Sequence, residues 1–411
     1  MSDWTGKRFE VEVGAVAHGG HCVARAEGRV VFVRHALPGE RVVVAITEDK
    51  GGSFCRGDAV EVLVASPSRV EPPCPVAVPG GCGGCDWQHA AAPEQRRLKG
   101  VVVAEQLSRL AGLTWDVEVE ELAGGLSHWR TRTRLAVDRA GHVGFRAHRS
   151  HRVVPVDDCV IAAPGTVDVL AGREWTPGAE LEVSVDATGR THASELLPDK
   201  GRLRSGKPVL KPHRVLGSSV AVEQAARREW RLDAHGFWQV HPDAADVLAE
   251  VVEQWSGVTE GDTAWDLYAG VGLFAAVLAG QVGPQGTVVA VESARRAAED
   301  GAENLADLPQ VRVFAGKVED VLASGDLPSP EVVVLDPPRK GAGRAVVEAI
   351  VARTPDRVVY VACDPAALAR DVASFASHGY ELSRLRAFDT FPMTHHVECV
   401  ALLTRMSGAV E

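Results

Sequence analysis

The residue with the most distinctive chemistry in this chain is Cys363. It stands at the end of an apolar run, Val358-Val359-Tyr360-Val361-Ala362, and just before Asp364-Pro365. β-branched and aromatic residues closed by Asp-Pro read as a central strand that delivers its last residue to a sheet edge. A thiol there is a nucleophile once ionised, and otherwise an inert core cysteine. Other stretches are punctuated in the same way. Val332-Val333-Val334-Leu335 closes on Asp336-Pro337-Pro338-Arg339, a Gly-rich turn, Asp266-Leu267-Tyr268-Ala269-Gly270-Val271-Gly272, follows an earlier strand, and Phe391-Pro392-Met393-Thr394-His395-His396-Val397-Glu398 leads into a later one. One sheet edge therefore collects a Gly-rich loop, two carboxylates and a thiol, which is where an open α/β sheet places its chemistry.

The elements that must carry these residues lie beyond Gly261, where strands and helices alternate regularly. Strands are predicted over 263–268, 287–292, 311–315, 332–336, 357–363, 382–388 and 397–403, the pattern of a doubly wound, Rossmann-like α/β sheet. No long helix separates the last two, so an antiparallel hairpin is expected at one edge. The Gly-rich turn has the shape of a nucleotide loop, but it lacks the third glycine of a dinucleotide fingerprint and any Walker lysine. Both absences point away from hydride transfer and nucleoside triphosphate hydrolysis, and toward S-adenosylmethionine. Glu292 closes the second strand, where a carboxylate can accept both ribose hydroxyls; its bland alternative is a surface acid. Phe237-Trp238-Gln239-Val240 precedes this region, and either aromatic suits base stacking or core packing.

Ahead of the sheet the chain changes character. Period-two runs at 8–13, 29–33, 40–46 and 58–64, separated by Gly-rich turns, read as a small β-barrel of the oligonucleotide-binding kind. Cys74, Cys82 and Cys85 then fall within a dozen residues, with glycines between them that let the backbone wrap a bound centre. Cys159 is the best candidate for a fourth ligand. Zinc would accept these thiolates in a tetrahedron and a cubane iron–sulfur cluster would accept them too, and the spacing does not choose. Two basic segments follow: Arg130, Arg132, Arg134, Arg146, Arg149 and Arg152, then Lys200, Arg202, Arg204, Lys207, Lys211 and Arg214. Charge runs are most often solvated faces. Concentrated on an acidic background, they also suit a phosphate backbone.

Composition bounds the rest. A chain of 411 residues exceeds one ordinary core, and 45% hydrophobic with 24% charged residues is globular, not disordered or fibrous. The divisions expected are 1–68 as barrel, 69–238 as a central α+β domain with the cysteines and basic segments, and 239–411 as the α/β domain. A net charge of −11 excludes a generally basic nucleic-acid binder, so RNA contact must come from local patches. No apolar run is long enough to span a bilayer and the start has no signal-peptide pattern, so a cytoplasmic protein with no membrane partner is expected. Eight cysteines are too few for a disulfide scaffold in a chain of this length.

Taken together, these stretches resemble, over nearly the whole chain, the S-adenosylmethionine-dependent RNA uracil-C5 methyltransferases. They resemble especially the 23S ribosomal RNA branch, which carries an N-terminal TRAM domain and an iron–sulfur cluster. Gly19-Gly20-His21-Cys22-Val23-Ala24-Arg25 and Val31-Phe32-Val33-Arg34-His35 carry the TRAM likeness, and the cysteines, Phe237-Trp238-Gln239, Asp336-Pro337-Pro338-Arg339, Cys363-Asp364-Pro365 and Phe391 to Glu398 carry the rest. The resemblance implies a [4Fe-4S] cluster rather than zinc on Cys74, Cys82, Cys85 and Cys159. It implies cofactor contacts from Gln239, Tyr268, Glu292 and Asp336, a nucleophilic Cys363, a general base Glu398, and RNA as partner; the sequence does not identify the oligomeric state, and a monomer is the expectation. The chemistry agrees: uracil C5 becomes nucleophilic when a thiolate adds to C6, and a base must then remove the C5 proton so that the cysteine can leave. The base must be flipped out of its stack to reach the thiol. The common motif reads Ser-Cys-Asn-Pro where this chain has Ala362-Cys363-Asp364-Pro365, which alters the hydrogen bonding around the thiol. Nothing in the local sequence supplies a cation to ionise it. Transfer RNA as substrate, cytosine as the methylated base, and an RNA-binding protein that no longer turns over are the competing readings.

Overall fold

The computed structural model describes residues 3–202 and 208–406. Strands β1 (Arg8–Val16), β2 (Cys22–Ala26), β3 (Arg29–Arg34), β4 (Arg41–Glu48) and β5 (Phe54–Val64) close a barrel in the order β1-β2-β3-β5-β4. β2 is the strand that alternation alone did not reveal. The inward positions Val31, Val33, Val42 and Val44 are completely buried. Trp87 and Leu98, from the chain beyond the barrel, complete its core.

Helix α1 (Ala92–Gln106) joins two cores. Leu98 and Val102 pack into the barrel, while Val103 and the following Leu107 pack against the C-terminal sheet. Gly100 is needed there, since a Cβ would lie 2.4 Å from the Val117 carbonyl oxygen. The short β6 (Val119–Glu121) then adds itself, parallel, to the edge of that same sheet.

Two antiparallel units make up the middle of the chain. Strands β7 (Arg132–Val137), β8 (Val143–Arg146), β9 (Val153–Pro155), β10 (Glu180–Val185), β11 (Thr191–Arg202) and β12 (Pro208–Leu216) form a sheet ordered β12-β11-β10-β7-β8-β9. β13 (Val220–Ala225) and β14 (Arg228–Asp233) form a separate ribbon.

The C-terminal unit is doubly wound. After α2 (Ala244–Ser256) come β15 (Thr263–Leu267), α3 (Leu273–Val282), β16 (Thr287–Glu292), α4 (Arg295–Asn304), β17 (Val311–Ala315) and α5 (Val318–Ala323). They are followed by β18 (Val332–Leu335), α6 (Arg344–Val351), β19 (Arg357–Ala362), α7 (Pro365–Ala376), β20 (Tyr380–Asp389) and β21 (Glu398–Arg405). The sheet order is β17-β16-β15-β18-β19-β21-β20-β6, with β15 to β19 parallel and β21 antiparallel to both neighbours. Parallel strands covered on both faces need unbroken apolar runs, and Val288–Val291, Val332–Leu335 and Val358–Val361 supply them. The expected hairpin of the last two strands is present, and it is β6 that caps the edge. Among the described residues no helix is long and apolar enough to cross a membrane.

Candidate active site

The strand register brings the thiol and its carboxylate together. Ala362 of β19 pairs with Cys399 of β21, so one step further along the same ladder sets Cys363 beside Glu398. On the other side, Leu335 of β18 pairs with Tyr360, and the Asp336 amide donates to the Leu267 carbonyl at 3.2 Å. Asp336 therefore leaves its strand end between the Gly-rich loop and Cys363. Glu398 is 3% exposed, and Cys363 and Asp336 are half-buried. Burial raises both carboxyls well above the ordinary range, and the negative charge of Asp336 adds to the rise at Glu398. Burial, with Glu398 and Asp336 next in weight, pushes the Cys363 thiol up to about 12. The cation that pulls it down is Arg339, from the loop after β18. Arg339 is itself exposed, with Nη2 3.4 Å from His396 Nε2.

That loop is fixed from beneath by a residue the sequence did not single out. Asp371 of α7 accepts from the Tyr360 hydroxyl at 2.6 Å and from the amides of Ala342 and Gly343 at 2.7 and 3.3 Å. Asp364, beside the thiol, caps α7 by accepting from the Ala367 amide at 2.8 Å. Its second oxygen lies 3.2 Å from Nε2 of His18, on the β1–β2 turn of the barrel. The carboxylate in place of the common amide thus has two partners, one of them more than 300 residues away in the chain.

Tyr268 sits at φ +63° and Gly270 and Gly272 at +55° and +94°, so the chain turns sharply from β15 into α3. Asp266 is completely buried, with one oxygen accepting from the Ala275 amide at 2.8 Å and the other, Oδ1, without a partner among the described residues. Burial pushes it to about 8. An unsatisfied buried carboxyl oxygen behind a strained loop is a feature that a bound ammonium or hydroxyl would satisfy. Glu292, half-buried at the end of β16, already accepts from the Gly270 amide at 3.0 Å and the Ala294 amide at 2.5 Å, which fixes its carboxylate against the loop. Tyr268 is half-buried with its phenol raised to about 12 by burial. Gln239 is half-buried beside Trp238, which packs with Trp230 and shares a core with Val271 of the loop. The two aromatics part company here: Trp238 is core, while Phe237 is 70% exposed.

Cys74, Cys82, Cys85 and Cys159 line one cavity, together with Gln88 and Arg130. As the side chains stand, no group of three or more His, Cys, Asp or Glu among the described residues could hold a metal ion. The donor set nevertheless suits an anionic thiolate-ligated centre. Arg130 faces the sulfurs, and its guanidinium pairs with no carboxylate among the described residues. The rest of the first basic segment is tied up: Arg132 with Glu223, Arg134 and Arg146 with Glu180, Arg149 with Glu48, and Arg152 with the Gly80 carbonyl. In the second segment Lys211 and Arg214 are exposed on β12. Arg204 and Lys207 lie outside the described residues, as do the side chains of Lys200 and Arg202.

Comparison with known proteins adds the family. Residues 230–406 match the model of the tRNA (uracil-5-)-methyltransferase family, and residues 4–60 match the TRAM domain. An uncharacterized RNA methyltransferase of Streptomyces avermitilis is 50% identical, covering 97% of this chain and 98% of the relative. Another from Corynebacterium efficiens is 40% identical over 98% of this chain and 96% of its own. Among solved structures, the Pyrococcus abyssi tRNA (uracil-54, C5)-methyltransferase in complex with S-adenosyl-L-homocysteine superposes with a TM-score of 0.70 at 22% identity. It covers 96% of this chain and 99% of that one, a likeness of fold. With half its residues shared with an RNA methyltransferase end to end, the chain belongs to the TRAM-bearing, S-adenosylmethionine-dependent RNA uracil-C5 methyltransferases.

Proposed function

We propose that the protein methylates C5 of a uridine in 23S ribosomal RNA, with Cys363 as nucleophile and Glu398 as general base. The observation that carries this reading is the β19–β21 register, which puts a thiol and a buried carboxyl side by side at the mouth of the sheet. The Cys363 thiolate adds to uracil C6, and the electron pair displaced into the ring makes C5 the nucleophile. S-adenosylmethionine would supply the methyl group: C5 takes it as the sulfonium–methyl bond breaks, and the thioether S-adenosylhomocysteine leaves. Glu398 then takes the C5 proton, the C5–C6 double bond returns, and the C6–sulfur bond breaks to free Cys363. Burial holds the Glu398 and Asp336 carboxyls above the usual range, and it is ionised Glu398 that can take the C5 proton. Arg339 lowers the cost of the thiolate. Tyr268, Glu292, Asp336 and Gln239 hold the cofactor, and exposed Phe237 stacks on the flipped base.

Cys74, Cys82, Cys85 and Cys159 hold a [4Fe-4S] cluster in this reading. Support comes from the four thiols around one cavity and from Arg130 facing them, since a thiolate-ligated cluster is anionic. Iron and acid-labile sulfide measured on purified protein test it; zinc recovered in their place would overturn it. The functional divisions proposed are 1–68 for RNA binding, 69–238 for the cluster and RNA-facing segments, and 239–411 for methyl transfer, in a cytoplasmic monomer.

The decisive experiment supplies labelled S-adenosylmethionine with undermodified ribosomal RNA and, separately, transfer RNA, then identifies the methylated nucleoside. 5-Methyluridine in ribosomal RNA, lost in Cys363→Ala, is expected. Label in transfer RNA alone would move the substrate, and 5-methylcytidine would move the base.

A further inference from the structure

The loop that delivers Glu398 is not held by its own strands. Residues 390–397 join β20 to β21, and the bonds that fix them come from the segment just after the cysteines. The amides of Asp86 and Trp87 both donate to the Met393 carbonyl at 3.0 Å. Asp86 Oδ2 accepts from the His395 amide at 3.1 Å and lies 2.6 Å from His395 Nδ1. Gln95, completely buried, accepts from the Met393 amide at 2.7 Å. Lys99, also completely buried, lies with Nζ 2.5 Å from Asp389 Oδ1 and donates to the Phe391 carbonyl at 3.0 Å. Met393 is held at φ +64°, a conformation a non-glycine residue keeps only when its surroundings impose it. The barrel closes the same joint. A Cβ on Gly20 would lie 2.7 Å from His395 Cβ, and Arg34 Nη2 lies 3.6 Å from Asp86 Oδ1.

We propose that Asp86 and Lys99 are positioning residues for Glu398: the 86–99 segment clamps the 389–398 loop and so sets the carboxylate against the C5 proton. Neither touches the reacting atoms. A buried lysine donating to a loop carbonyl 292 residues away is costly to maintain for packing alone, and it fixes the loop entry while Asp86 fixes its far side. This proposal rests on the reading of Glu398 as base. Its signature is specific, because loosening the base leaves thiolate addition and methyl transfer intact and slows only the proton removal that releases the enzyme. A misplacement of about 1 Å costs on the order of 10²-fold in such a step.

The test measures turnover together with the denaturation-resistant adduct between protein and RNA in Asp86→Asn, with Glu398→Gln as the reference that removes the base outright. Asp86→Asn is expected to lower kcat with little change in KM for RNA, and to accumulate adduct as Glu398→Gln does. The double variant Lys99→Met/Asp389→Leu leaves no buried charge unpaired, so it keeps the fold and is expected to accumulate adduct too. Iron content and Tm are followed in each. Adduct in Glu398→Gln but none in the clamp variants would overturn the proposal and leave the base in place. Activity lost in step with iron or with Tm would also overturn it. No adduct in Glu398→Gln, or in any variant, would strike at the assignment of the base itself.

Discussion

Cys363 works against its surroundings. A thiol raised to about 12 by burial and two neighbouring carboxyls is almost wholly protonated near neutrality, and the exposed Arg339 is the cation that opposes this. With Cys363 as the proposed nucleophile, the free-enzyme rate follows the small thiolate fraction. We expect kcat/KM to climb by close to tenfold per pH unit through the neutral range, as it does for any group titrating well above it. Arg339→Gln removes a charge that stabilises the thiolate, so the thiol rises further and kcat/KM falls several-fold at every pH below the thiol's own, with the slope unchanged. A fall confined to KM for RNA would instead assign Arg339 to phosphate contact alone. The positions of Cys363, Asp336 and Glu398 were legible in the sequence because the first two stand where an apolar strand stops and the third where one starts, and strand ends are marked by composition. Arg339 was printed in the same motif, yet its bearing on the thiol was not legible. It depends on how the loop after β18 leans across β19, which Asp371 decides from a third element.

At the scale of elements, the barrel and the α/β domain meet just after β19, beside Cys363. His18, on the β1–β2 turn, pairs with Asp364 at the N-terminus of α7, and Asp364 raises it above its ordinary value. The other charged groups near His18 are Arg370, which lowers it, and Glu105, which raises it. A histidine raised in the folded state adds stability that is whole below its unfolded value of about 6.5 and disappears as pH climbs through the folded value. The Tm gap between wild type and His18→Ala should therefore be widest below about pH 6.5 and close as pH climbs through the folded value, by a modest amount because His18 is 40% exposed. Asp364→Asn restores the common amide and keeps the cap on Ala367, and it should abolish that pH dependence. Asp266 gives a second probe of the same sign within β15. Its carboxyl, pushed to about 8 by burial, favours the protonated fold, so its stabilising share is present at low pH and is lost as pH rises through 8. Asp266→Asn should flatten the decline in Tm between the unfolded carboxyl value of about 4 and about pH 8. The parallel strands were legible as unbroken apolar runs, and the barrel as alternation. β6 and β2 were less so: β6 has only three residues, and β2 places Arg25 outward in a five-residue strand whose pairing is set by closure. Sequence cannot show that α1 serves two cores, since its apolar positions point to both sides.

For the molecule as a whole the question is how a protein of net charge −11 holds a polyanion. The basic segments looked sufficient in the sequence, yet the first is largely consumed by its own ion pairs: Glu180 alone serves Arg134 and Arg146, and Arg132 braces the Gly236 carbonyl just ahead of Phe237. Arginines that pair with carboxylates across neighbouring strands contribute little to phosphate binding, because the same Coulomb attraction is already satisfied. Among the described residues, the exposed cations Lys211, Arg214 and Arg339 and the exposed ring of Phe237 are the groups we propose for recognition. Counterion release makes that measurable. Each phosphate neutralised contributes about 0.7 to the slope of log K against log salt for a single strand, so few contacts mean a shallow slope. Lys211→Ala and Arg214→Ala should each weaken RNA binding uniformly across sequences and reduce the slope by about one contact's worth. Phe237→Ala should leave the slope untouched and lower turnover, since stacking on a flipped base costs about 1–3 kcal/mol per base and carries no counterion. If Arg134→Ala reduced the slope as much as Lys211→Ala, its pairing with Glu180 would have to break on binding, and the six-stranded sheet would become the principal RNA face.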